Sequence, residues 1–187
     1  MPWKRLWLLV LFVLFDVILG KLGLALAKVH PSASLIWPVI GFDLAMVMTF
    51  GLWPLLAVFV GAFIYNLLTF GSVVTCLFIA LGNVLKVWIA YKLFNREDII
   101  ENLKRFVLAC VPAAAAGATI GVASLFVKQD LFGPDWYQYI WIHWSIGGSA
   151  GKLLGITWLN WFLGDFLGLV IFTPVFVWLF KTLRISK

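Results

Sequence analysis

Long apolar runs, broken only by short polar links, constrain this chain more than any other feature. A bilayer core of about 30 Å is crossed by roughly 20 helical residues. Runs suited to that task are Leu6–Ala27, Ser34–Phe50, Trp53–Phe70, Ser72–Phe94, Phe106–Val127 and Ile156–Phe180. Only helices and closed barrels satisfy their own backbone polar groups in lipid, and runs this long read as helices. The expected fold class is all-α, a polytopic transmembrane bundle of about six spans forming a single domain over residues 1–187. Composition agrees: 64% of the 187 residues are hydrophobic and 12% charged. A soluble domain this small has too little interior to hide so much apolar surface.

The links carry their own signals. Lys28-Val29-His30-Pro31-Ser32 separates the first two runs, and Gly51 with Pro54 marks a tight reversal after the second. The most polar stretch, residues 95–105, divides the chain into halves. Residues 136–155 are rich first in Trp and Tyr, then in Gly, and include His143 and Lys152. That composition suits an interfacial or re-entrant segment, with a short extra span as the alternative. The opening Met1-Pro2-Trp3-Lys4-Arg5 superficially resembles a signal peptide. Its apolar run is too long for one, holds Asp16 and Lys21, and lacks a small-residue cleavage site, so an uncleaved first helix is expected.

The net charge of +6 is an orientation signal rather than a nucleic-acid one. With six spans and a cytoplasmic N-terminus, nine Lys and Arg fall on the cytoplasmic side: Lys4, Arg5, Lys92, Arg96, Lys104, Arg105, Lys181, Arg184 and Lys187. The outer side holds three, Lys28, Lys128 and Lys152. Positive-inside bias therefore places both termini in the cytoplasm. A seventh span would put the basic tail outside. Cys76 and Cys110 fall near opposite faces on this arrangement, too far apart for a disulfide.

Ionisable groups in lipid are costly and mark function or a buried pair. At 1.5 Å of rise per residue, Asp43 lies about 14 Å below the outer end of its helix, Asp165 about 13 Å, Asp16 about 16 Å and Lys86 about 20 Å. Several carboxylates thus share a membrane layer with one ammonium. Asn66, Asn83 and Asn160 extend the polar set, and Asn83 shares a helix face with Lys86 three residues on. A polar cavity open to the outside and binding a small ligand is one reading; a structural charge network is the other. Trp37, Trp158 and Trp161 are candidates to line such a pocket. The pairs Gly117/Gly121 and Gly164/Gly168, and the series Gly147/Gly151/Gly155, provide ridges for close helix contact. Pro112 is a candidate kink.

No cofactor or metal is expected, since His30 and His143 have no companions at ligand spacing. There is no phosphate-cradling Gly-rich loop, His-Glu-x-x-His or Gly-x-Ser-x-Gly, so no catalytic role is expected.

Four motifs resemble one family in order. Ala33-Ser34-Leu35-Ile36-Trp37-Pro38-Val39-Ile40-Gly41 is similar to the opening of the first class of membrane-associated sensor (MASE-type) domains. Gly51-Leu52-Trp53-Pro54, with Gly61-Ala62-Phe63 and Asn66, resembles its next helix. Ala80-Leu81-Gly82-Asn83 matches a further segment. Trp161-Phe162-Leu163-Gly164-Asp165-Phe166-Leu167-Gly168, with Pro174 beyond, is similar to its ending. Val39 stands where a second proline is common, and Asp43 is an acidic departure just after it.

The resemblance implies a non-catalytic sensory module in a bacterial-type inner membrane. Its output would be a histidine kinase or diguanylate cyclase, fused or as a partner, in a two-component or cyclic di-GMP pathway. It directs interest to Trp37, Pro38, Gly41, Asn66, Asn83, Trp161, Gly164 and Asp165. The expected ligand-binding set is Trp37, Asp43, Asn66, Asn83, Lys86, Trp161 and Asp165, with catalytic and metal sites none. The expected partners are the lipid bilayer, an unidentified small molecule and further copies of the chain, with no nucleic acid. The alternative is a substrate-binding transport protein or importer subunit for a small metabolite.

Overall fold

The computed structural model describes residues 3–26, 28–30, 33–34, 36–70, 73–94, 98–124 and 149–183. It is all-helical apart from a short antiparallel ribbon, β1 (Lys28–His30) with β2 (Ala33–Ser34). The helices are α1 (Trp3–Leu26), α2 (Pro38–Phe50), α3 (Leu55–Phe70), α4 (Val73–Phe94), α5 (Leu103–Ser124) and α6 (Ser149–Leu167). A π-helical turn (Gly168–Phe172) joins α6 to α7 (Thr173–Thr182), and helical backbone runs without a break from one to the other.

Four helical stretches are long and apolar enough to cross a membrane: Trp3–Gly23, Val73–Phe94, Leu103–Ser124 and Leu154–Thr182. That is in keeping with a membrane protein. The sequence led to an expectation of about six spans. The second and third of these are shorter than expected, because α2 begins only at Pro38 and the turn through Leu52 and Pro54 delays α3 to Leu55. With 13 and 16 residues, they rise about 20 Å and about 24 Å, less than a bilayer core. Of the segment 136–155, residues 149–155 form the start of α6. Residues 136–148, including His143, lie outside the described residues.

α2 is enclosed by the rest of the bundle. Every residue from Val39 to Val47 is buried, as expected for a helix apolar on all sides. Around it α1, α3, α4, α5 and α6 pack in succession, while α2 itself touches α1, α4, the π turn and α7. Glycine permits the closest of these approaches. A Cβ on Gly41 would stand 2.5 Å from the Gly168 carbonyl oxygen and 2.9 Å from the Thr173 nitrogen. One end of the bundle is closed by aromatic contacts among Phe12, Phe42, Phe50, Trp53 and Phe180, with ring centroids 5.3–6.4 Å apart.

Two local features complete the frame. Gly51 takes φ 90° after α2 and donates its N–H to the Val47 carbonyl at 3.0 Å, ending the helix where an L side chain would be strained. Lys21, inside the first span as expected, extends its side chain to the end of α3. Its ammonium donates to the Leu68 carbonyl and the Thr69 hydroxyl, each at 3.1 Å. A cation there suits the negative end of the α3 dipole. Pro112 sits inside α5 without ending it.

Candidate functional site: a buried polar layer

Lys86 on α4 and Asp165 on α6 form an ion pair, with Nζ donating to Oδ2 at 2.6 Å. Their side chains are only 6% and 8% exposed. The pair fits because α5 offers Gly117 at this point. A Cβ there would stand 2.7 Å from Lys86 Cδ and 3.2 Å from Asp165 Oδ2. The next small residue along the same face, Gly121, receives the Trp161 ring, which a Cβ would overlap. The Gly117/Gly121 spacing thus admits one side chain from α4 and two from α6 against a single helix face.

Beside the ion pair lie two further carboxyls, Asp16 on α1 and Asp43 on α2, both fully buried. They are within hydrogen-bonding reach of one another, and both feel the charge of Lys86. Among the described residues, no other side chain or backbone group donates to any of their four oxygens. Gly61 on α3 makes room for Asp16, since a Cβ there would overlap Oδ2 of that carboxyl. Three carboxyls and one ammonium, from α1, α2, α4 and α6, are thus buried in the bundle interior. Unpaired charge in so dry a setting is expensive.

Toward the β1–β2 ribbon the layer is bordered by neutral polar groups. The Asn83 amide donates to the Tyr65 hydroxyl at 2.8 Å. The Tyr65 ring packs against Trp37, with centroids 5.8 Å apart. Trp37 donates its backbone N–H to the Gly164 carbonyl at 3.2 Å, one residue before Asp165. This bond satisfies an otherwise orphaned donor at the α2 N-terminus and pins it to α6. The Gly164/Gly168 spacing serves the same contact, because a Cβ on Gly168 would overlap the Trp37 carbonyl.

Of the expected ligand-binding set, Asp43, Asn83, Lys86 and Asp165 come together, and Trp37 and Trp161 flank them. Asn66 does not join by any bond of its amide group to the layer. That group donates to Ala62 of its own helix at 2.7 Å. Trp158 bonds the Thr119 hydroxyl at 3.1 Å, away from the ion pair. Sequence reasoning missed Tyr65 and Gly61. A tyrosine four residues after a glycine in the middle of an apolar run was the available signal. Asp16 appeared in the depth estimate but not in the ligand-binding set. Among the described residues, no three His, Cys, Asp or Glu side chains gather to hold a metal ion.

A second polar contact lies at the far end of α7. Asp98, preceding α5, accepts the backbone N–H of Ile100 at 2.9 Å and of Glu101 at 3.4 Å. These bonds hold its carboxyl below the usual carboxylate range, with Lys181 adding a smaller pull in the same direction. Lys181 Nζ lies 3.7 Å from Asp98 Oδ2. The link before α5 and the end of α7 therefore share one face of the bundle.

The chain matches no family model, no curated protein and no solved structure.

Proposed function

We propose that the protein is a membrane-embedded sensory module. It reads a small ligand through the polar layer and passes the state of that layer to a cytoplasmic output, a histidine kinase or diguanylate cyclase. The observation that carries this reading is the position of Asp165. It lies three residues before the π turn on a helix that continues to Thr182, where Lys181 meets Asp98. π turns inside helices concentrate at functional sites. A ligand that favours one arrangement of the ion pair over another thereby biases the packing of α6 and α7. The motif resemblance points the same way.

In this reading α1 to α5 and the continuous α6–α7 helix are six spans, and both termini are cytoplasmic. Enclosure of α2 by protein relieves it of matching the bilayer thickness. The test is a fusion of the C-terminal end to a diguanylate cyclase domain, with cyclic di-GMP as the readout. Asp165→Asn and Lys86→Ala are expected to alter output while the protein still inserts. Wild-type output from both inserted variants would refute the reading.

Transport is the second reading, favoured by the carboxyl pair beside the ion pair, since intramembrane acids also mark ion pathways. Accumulation of a labelled compound by proteoliposomes would select it, because a sensor binds without accumulating.

A further inference from the structure

The polar layer has an imbalance that its own residues do not resolve. Asp165 has Lys86, whereas the oxygens of Asp16 and Asp43, within hydrogen-bonding reach of one another, have no donor among the described residues. Two ionised carboxylates cannot hydrogen-bond, because neither brings a proton. With one proton between them, the same contact becomes a hydrogen bond and one charge disappears. The remaining charges are then two carboxylates around a single ammonium.

We propose that Asp16 and Asp43 form a binding site for one proton, and that this proton is the input of the sensory reading above, on which the second half of the proposal rests. The surroundings fit a proton better than a larger cation. All four carboxyl oxygens are buried, Gly61 closes directly over Asp16, and no third acidic ligand completes a metal site among the described residues. The ionisable groups whose charge acts on or feels the pair are Tyr65 on α3, Lys86 on α4 and Asp165 on α6. α5 contributes Gly117, which carries no charge.

The coupling follows from charge balance. When the proton leaves for the aqueous phase, a second negative charge appears on the α1–α2 side of Lys86. The ammonium, until then held by Asp165, is drawn toward α1 and α2. Asp165 and the helix that carries it lose part of their tie to α4. Reprotonation restores the tie. No bond other than O–H is made or broken, and no cofactor is needed.

The experiment is infrared difference spectroscopy of the full chain in liposomes, titrated from acid to alkaline pH. It is paired with the pH profile of the cyclase fusion. Asp16→Asn and Asp43→Asn are compared with wild type; each amide donates an N–H to the remaining carboxylate and preserves the contact. The expected result is one protonated-carboxyl band, beyond those of exposed acids such as Asp98 that all samples share, that titrates in wild type and is missing in both variants, with a pH-dependent output that both variants flatten. Persistence of that additional band in either variant, or an output profile that neither changes, overturns the proposal. If a variant fails to insert, wild type labelled with carboxyl-13C aspartate decides. A titrating band that shifts with the label supports the site, and absence of a shift overturns it. The sensory reading fails separately, if Asp165→Asn and Lys86→Ala leave output unchanged at every pH.

Discussion

Lys86 and Asp165 are 79 positions apart in the chain and meet at 2.6 Å against the bare backbone of Gly117. The contact ties α4 to α6 in the dry interior, where an ion pair is costly to form and more costly to break. Removing one partner leaves an uncompensated charge, so Lys86→Ala or Asp165→Leu alone is expected to destabilise by about 3–5 kcal/mol. Replacing both with apolar residues is expected to cost much less. Unfolding of the single and double variants in mixed detergent measures the difference. A loss in the double variant equal to the sum of the two single losses would show that the pair contributes nothing.

Glycine clearance gives a prediction with an internal control. Gly61→Ala and Gly117→Ala each push a methyl group into Asp16 or Lys86 and are expected to cost about 1–3 kcal/mol through overpacking. At Gly155 a Cβ meets nothing within 4 Å, so Gly155→Ala is expected to be neutral or slightly stabilising. The same detergent unfolding assay ranks the three.

Tyr65→Phe keeps the ring against Trp37 and removes the oxygen that Asn83 donates to. The buried amide then lacks its acceptor, at an expected cost of about 1–3 kcal/mol. Adding Asn83→Leu to Tyr65→Phe is expected to recover part of that loss, and a double-mutant cycle measures the coupling.

Asp98 yields a pH prediction whose sign is fixed. Its carboxylate is favoured in the folded state by the N–H groups of Ile100 and Glu101. Its contribution is therefore present above the ordinary Asp range and lost as pH falls through the lowered folded value. Amide exchange at Ile100 and Glu101 is expected to quicken on acidification relative to the middle of α5. Asp98→Ala is expected to show that fast exchange already at neutral pH.

That Lys86 and Asp165 share a height in the bundle was legible in the sequence, because helical rise alone sets it. Asp16, Asp43, Lys86 and Asp165 fall at similar heights however their helices are rotated. Which groups face one another was not legible, since that depends on helix rotation and neighbours. Asn66, expected in the site, hydrogen-bonds its own helix, while the adjacent Tyr65 holds the Asn83 amide. The late start of α2 was hidden for a similar reason. The apolar run from Ser34 is continuous, and only the bias of a residue before proline against helix hints that the helix begins at Pro38. The Gly117/Gly121 spacing predicted a helix contact, and the structure adds what fills each gap, a charged pair at Gly117 and an indole at Gly121; Gly155, from the third glycine series, meets no neighbour.

In the proposed sensory reading, the ion pair controls the end of α7. The most direct measurement is a spin-label distance distribution between positions 98 and 181, with the buried Cys76 and Cys110 replaced. It is recorded with Asp165 intact and with Asp165→Asn. The expected result is a shifted or broadened distribution in the variant while labels within α4 and α5 keep theirs. Superimposable distributions between 98 and 181, in protein that is inserted and folded, would contradict the account.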